Sequence, residues 1–279
     1  MAWSRRRFAI WACVLGTATV AVGIATTALA GKGLKTKSET ENVDPGEDGS
    51  PSARCGQGTK AVSGGFEAEF NPSVFYMFES RRSGGREWTS SGFNAGGGAG
   101  DLTSFAYCRD QKLKTRSATV EVDPGDLDSV TARCRQGEKA FSGGYAGDEI
   151  DISGPTPAFF PVASHKQGKR EWRVSARNVG SAEGDLTAYV GCRKGKGVKT
   201  KRVEETQGTS EFESVEARCS RKQRVVSGGF DLDSDWITTG AYPLEWHKLG
   251  KRAWELAAQD AGGQPHDLIV YAYCEKKKK

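Results

Sequence analysis

Histidine is almost missing from this chain: three occur in 279 residues, His165, His247 and His266. A serine or cysteine nucleophile needs a base beside it, and no histidine recurs next to either. His165 and His247 occupy the same place in an internal repeat where another copy has Arg81, so they read as solvated turn residues. Cysteine never appears as C-x-x-C, which removes the commonest zinc patterns. Carboxylates are plentiful, but no spacing singles out a catalytic acid–base pair. No stretch carries a helical apolar period. Hence no residue is nominated as catalytic and no cofactor is implied.

Long apolar runs are equally scarce, with one exception. Arg5, Arg6 and Arg7 precede an uncharged run from Phe8 to Ala30 that closes on Ala28-Leu29-Ala30. That is the form of a secretory signal peptide, residues 1–30, with Gly31 first after cleavage. The rival reading is an uncleaved membrane anchor over residues 8–30, since the run is about long enough to span a bilayer. Ser4-Arg5-Arg6-Arg7-Phe8 also resembles a twin-arginine export signal, although Ala9 and Ile10 depart from it, so the Sec and twin-arginine routes both stay open. Cys13 has no lipobox before it and reads as a passenger. Removing the leader takes three of the 40 cations and none of the 35 acids, leaving the remainder close to neutral. An overall basic composition therefore does not argue for nucleic acid.

What is abundant is repetition. The phrase ARCGQGTKAVSGGF at Ala53–Phe66 returns as ARCRQGEKAFSGGY at Ala132–Tyr145 and as ARCSRKQRVVSGGF at Ala217–Phe230. Around it recur Leu34-Lys35-Thr36-Lys37, Arg86-Glu87-Trp88, and an Asp-Leu pair (Asp101-Leu102) opening the run to a second cysteine. These define copies over residues 31–111, 112–196 and 197–275, with a basic tail at 276–279. Within a copy the apolar period is two: Trp172, Val174 and Ala176 share a face, as do Val130, Ala132 and Cys134. The expected fold is all-β, three tandem small disulfide-stapled sandwich or flattened-barrel modules. Six cysteines fall two to a copy, and both members of each pair share the apolar parity. The expected bridges are therefore Cys55–Cys108, Cys134–Cys192 and Cys219–Cys274, as suits an exported chain. The Gly-Gly pair is expected to lie under the repeated tryptophan, because an aromatic ring can cover strand glycines.

Cys134, Gly143-Gly144-Tyr145, Trp172, Thr187-Ala188-Tyr189 and Cys192 carry a resemblance to a set of secreted actinobacterial proteins with a Cys…Gly-Gly-aromatic…Trp…Thr-Ala-Tyr…Cys module. It spans all three copies. Ile269 departs from it in the third, and Ser104-Phe105 in the first. The resemblance implies compartment and module and carries no activity.

Two patterns point to binding. Each copy has a basic hairpin tip, which nominates Arg81, Arg82 and Arg86, then Lys166, Lys169 and Arg170, then Lys248, Lys251 and Arg252 as polyanion contacts. Tethered tips would add by avidity; the competing reading, which the sequence favours, is that hairpin tips are simply polar and are balanced by the nearby acids. Asp231, Asp233 and Asp235 have calcium-loop spacing, but Trp236 and Tyr242 stand where an EF-hand requires glycine and glutamate. The wet face of a strand is the competing reading, so they are at most a weak metal candidate. Tyr76, Phe160 and Tyr242 recur before the tips and read as core rather than as a glycan platform. The functional expectation is an exported, non-catalytic protein that binds an anionic cell-wall polymer or glycan at the envelope. A secreted hydrolase and a structural envelope component are the alternatives.

Overall fold

The computed structural model describes residues 33–71, 73–148, 158–208, 212–232, 242–259 and 265–277. The leader, Asp233, Asp235, Lys278 and Lys279 lie outside them. Among the described residues there are nineteen strands and no helix, as the period of two and the lack of a helical stripe require. The first copy supplies β1 (Lys35–Val43), β2 (Asp48–Gly49), β3 (Ser52–Arg54), β4 (Lys60–Ala68), β5 (Phe75–Arg81), β6 (Glu87–Asn94) and β7 (Gly100–Arg109). The second supplies β8 (Lys114–Val122), β9 (Leu127–Arg133), β10 (Glu138–Ala146), β11 (Phe159–Gln167), β12 (Glu171–Asn178) and β13 (Gly184–Lys194). The third supplies β14 (Lys199–Gln207), β15 (Phe212–Arg218), β16 (Gln223–Leu232), β17 (Tyr242–Leu249), β18 (Ala253–Gln259) and β19 (His266–Lys276).

Each copy makes two half-sheets that face one another. In the second these are β8-β13-β10 and β9-β12-β11. A disulfide staples every such pair: Cys55–Cys108, Cys134–Cys192 and Cys219–Cys274, with Cα separations of 5.5, 5.6 and 5.7 Å. Closing loops of 53 to 58 residues contributes about 4 kcal/mol each in the chain-entropy account. All six sulfurs lie in the core beside Trp88, Trp172 and Trp254.

The half-sheets do not end at the copy boundaries. Strand β5 pairs with β10, β11 with β16 and β17 with β4, so all three sheets combine strands of two copies. Copy one thus joins two, two joins three, and three joins one. The described residues consequently form one compact unit. Every seam is short, with two registered pairs such as Tyr145↔Ser80 and Ala146↔Glu79, yet it covers the inner edges that a free sandwich would leave unpaired. Outer edge strands such as β1 remain wet and are written in lysine, threonine and glutamate, the usual protection for an open edge.

The Gly-Gly pairs serve both the sandwich and the seam. A Cβ on Gly64, Gly143 or Gly228 would lie 2.2, 2.1 or 2.2 Å from the tryptophan of the same copy. A Cβ on the next glycine, Gly65, Gly144 or Gly229, would instead meet a backbone carbonyl of the neighbouring copy, at 1.9 Å (Trp246), 2.2 Å (Ser80) or 2.9 Å (Ser164). The first glycine admits the ring, as the sequence suggests; the second admits the seam strand.

A β-bulge just before each pair, at Ala61/Ser63, Ala140/Ser142 and Val225/Ser227, re-aims one side chain. The bulged residues Val62, Phe141 and Val226 meet in a small apolar cluster with Leu113. Deeper in, Tyr145, Phe230, Trp246 and Phe66 form a continuous chain of ring contacts at 5.6 to 6.2 Å. Farther along, Tyr76 contacts Phe160 and Tyr242 with centroids 4.7 and 5.5 Å apart. All three copies converge there, with Tyr242 in the core as expected and Tyr76 and Phe160 half-buried at its margin. Burial, and then the neighbouring Tyr76 phenol, push the Tyr242 phenol up to about 12.

Candidate polyanion-binding end

The register separates charge along the molecule. Strands β1, β8 and β14 begin with Lys35, Lys114 and Lys199 opposite Cys108, Cys192 and Cys274. They finish near Asp101, Asp185 and Asp267, after Glu41, Glu121 and Glu205. One end of each sandwich is therefore basic and carries the cysteines, and the other is acidic.

The hairpin tips join the basic end. The amides of Cys55, Cys134 and Cys219 donate to the carbonyls of Arg86, Arg170 and Arg252 at 2.8, 2.8 and 2.7 Å. Not every nominated cation is offered to solvent there. Lys169 and Lys251 are exposed; Arg86, Arg170 and Arg252 are half-buried. Arg82 turns its guanidinium to the Leu113 carbonyl at 3.3 and 3.4 Å. Lys166 caps the Gly168 carbonyl, and Lys248 lies over the Tyr107 ring at 5.5 Å. Burial pulls the basicity of Arg82, Lys166 and Lys248 down, and Lys139 adds to the effect at Lys166.

Arg81, His165 and His247 are not solvated turn residues. Their side chains lie at the seams with 27, 12 and 14% exposure, and each sits on an aromatic ring of the next copy. Arg81 lies 5.1 Å over Tyr189, His165 stacks at 5.0 Å on Tyr271, and His247 meets Phe105 at 5.3 Å. Arg81 also pairs with Glu79 at 3.0 Å, and His165 approaches Asp231 at 3.5 Å. Asp231 is therefore committed to a seam. Burial lowers the His165 pKa despite that carboxylate. The equivalent place in every copy thus sets a flat polar group on an aromatic ring.

The open positive charge lies instead in the connectors after the second cysteine. Arg109, Arg193 and Glu275 each follow that cysteine, and they meet. Glu275 accepts from Arg109 at 2.7 Å, Arg193 at 2.9 Å and Arg224 at 3.3 Å, all with 13–15% side-chain exposure. Burial resists ionisation of Glu275, but hydrogen bonds from Arg193 and the charges of Arg109 and Arg193 outweigh it and hold the carboxyl below its usual range. Arg193 also covers the Phe141 ring at 4.3 Å. Two shallow grooves adjoin this knot. One of about 330 Å³ runs past Arg109, Asp110, Gln111, Lys112, Arg193 and Lys194. The other, about 480 Å³, is lined by Arg193, Lys194, Lys196, Lys199, Lys276 and Lys277. Together they present eight cations against Asp110 and Glu275. Lys112, Lys194, Lys196, Lys199, Lys276 and Lys277 are exposed. Apart from the basic tail, sequence reasoning missed these residues, because the connectors fall between repeats; their shared lysine content, in QKLK, KGKGVK and EKKKK, was the available signal.

No protein-family model matches this chain, and no curated protein matches it.

Proposed function

We propose that the chain is an exported binding protein whose basic end engages an anionic polymer of the cell envelope or extracellular medium. The observation that supports this most is the pair of grooves that meet at Arg193 and Glu275, where eight cations face two acids. Without residues 1–30 the chain as a whole is near neutral, so the segregation is local. Exposed lysines with shallow, open walls suit a flexible chain of phosphate, sulfate or carboxylate groups rather than a small molecule, which favours an enclosed cavity. Three disulfides agree with maturation in an oxidising compartment, reached through residues 1–30 as a cleaved leader, with an anchor over residues 8–30 as the alternative.

The test is binding of the disulfide-bonded chain to dextran sulfate, with neutral dextran as control. Replacing Lys112, Lys194, Lys196, Lys276 and Lys277 by serine should lower affinity at least tenfold. Replacing the tip residues Lys169 and Lys251 should lower it only about two- to threefold. Affinity should fall steeply between low and physiological salt as counterion screening grows. Salt-independent binding, or full retention in the five-lysine variant, would overturn the reading.

A further inference from the structure

The three seams are built on the same register but are not equally charged. Across β17–β18, His247 stands opposite Glu255; the corresponding pairs are His165 with Arg173 and Arg81 with Thr89. Across the seam itself, Glu245 stands opposite Glu67, where the sisters have Ala163 with Asp231 and Glu79 with Ala146. The second-to-third seam therefore sets Arg173 against Asp231, and the first-to-second seam sets Arg81 against Glu79. Each sums to zero with neutral imidazole. The third-to-first seam holds Glu67, Glu245 and Glu255 with His247 as the sole basic group among these positions.

The donors of this seam are also close. One atom each from Glu245, His247 and Glu255 lies within 4.8 Å of the others. His247 Nε2 is 3.3 Å from Glu245 Oε2 and 4.0 Å from Glu255 Oε2. Ligands held about 2.1 Å from a tetrahedral ion are about 3.4 Å apart, so small side-chain rotations would bring all three onto one metal. Every donor comes from a paired strand, not a loop, with Glu245 and His247 two residues apart on one face. Hydrogen bonding with the Lys248 backbone and the Phe105 ring orient the imidazole, the outer support that metal-binding histidines commonly have. The site borders a groove of about 750 Å³ lined by Glu67, Glu245, Thr103 and Thr40, which leaves an open position for a fourth ligand, water or a third carboxylate.

We infer that Glu245, His247 and Glu255 bind one divalent transition cation of the zinc class, which supplies this seam with the positive charge that arginine gives its sisters. An imidazole with two carboxylates suits zinc; calcium prefers six or more oxygens. The inference is independent of the basic end. It is tested by titrating the EDTA-stripped, disulfide-bonded chain with zinc chloride in a calorimeter. The expected result is one zinc per chain, an affinity reduced at least tenfold by His247→Ala and by Glu255→Gln, and no change with His165→Ala. If His247→Ala does not fold, Glu255→Gln and Glu245→Gln, which keep shape and polarity, decide alone. Absence of stoichiometric binding, retention in the glutamine variants, equal loss in His165→Ala, or displacement of zinc by equimolar calcium would overturn it.

Discussion

The cores of the second and third copies solve one packing problem differently. In the second, the Trp172 indole N–H donates to Ser164 Oγ at 3.0 Å, as Trp88 does to Ser80 in the first. In the third, Trp246 takes the serine's place and meets Trp254 edge-on at 5.7 Å, and neither indole nitrogen has a partner. An orphaned buried N–H costs about 1–3 kcal/mol. Trp246 offsets this by burying a second large ring, which packs on Phe230 of its own copy and reaches across the seam to Phe66. The same backbone slot thus accepts either a satisfied hydrogen bond or a wider aromatic cluster.

The hardest test of the comparison is removal of the shared ring. Trp172→Ala and Trp254→Ala should each destabilise the protein by about 3–5 kcal/mol, measured by denaturant unfolding with disulfides intact. Because the seams join the copies, both should shift a single transition of the whole unit. Separate transitions for one copy would break the ring description. Next in size, Gly143→Ala and Gly228→Ala drive a methyl into the indole at 2.1 and 2.2 Å, and each should cost about 3 kcal/mol as overpacking.

Smaller effects separate the two solutions. Ser164→Ala leaves the Trp172 N–H orphaned and should cost about 1–2 kcal/mol by the same unfolding assay. A cost under about 0.5 kcal/mol would show that the hydrogen bond does not distinguish the copies. Finally, Trp246→Ser should be less damaging than Trp246→Ala by about 1 kcal/mol, because the hydroxyl would give Trp254 the acceptor its counterparts already have. Equal losses would place the difference elsewhere.

The strands, the sandwiches and the cysteine partners were legible because each follows from parity. Val130, Ala132 and Cys134 share a face in sequence and share the core in space. The seams were not legible. A contact of two residue pairs leaves no periodic trace, and the second glycine of each pair is explained equally well in sequence by the tryptophan nearby. Only the carbonyls of Ser80, Ser164 and Trp246 distinguish the reasons for Gly144, Gly229 and Gly65. The bulges hid the small apolar cluster, since a one-residue shift in β10 reverses the facing of Phe141 without altering composition. At the basic end, counting cations found the tips but could not show that Lys248 lies on Tyr107 or that Arg82 is bound to a carbonyl.

The meeting of Arg109, Arg193 and Glu275 has a meaning for assembly. Three separate identical chains closing the same ring would obey exact rotational symmetry and place one side chain three times at the convergence point. Three arginines there would repel, and so would three glutamates. One continuous chain escapes that constraint, because Cys108 and Cys192 can be followed by arginine while Cys274 is followed by glutamate. The result is a neutralising contact at 2.7 and 2.9 Å that no homotrimer of a single copy could contain, and it gives the third copy a position it cannot exchange with the other two.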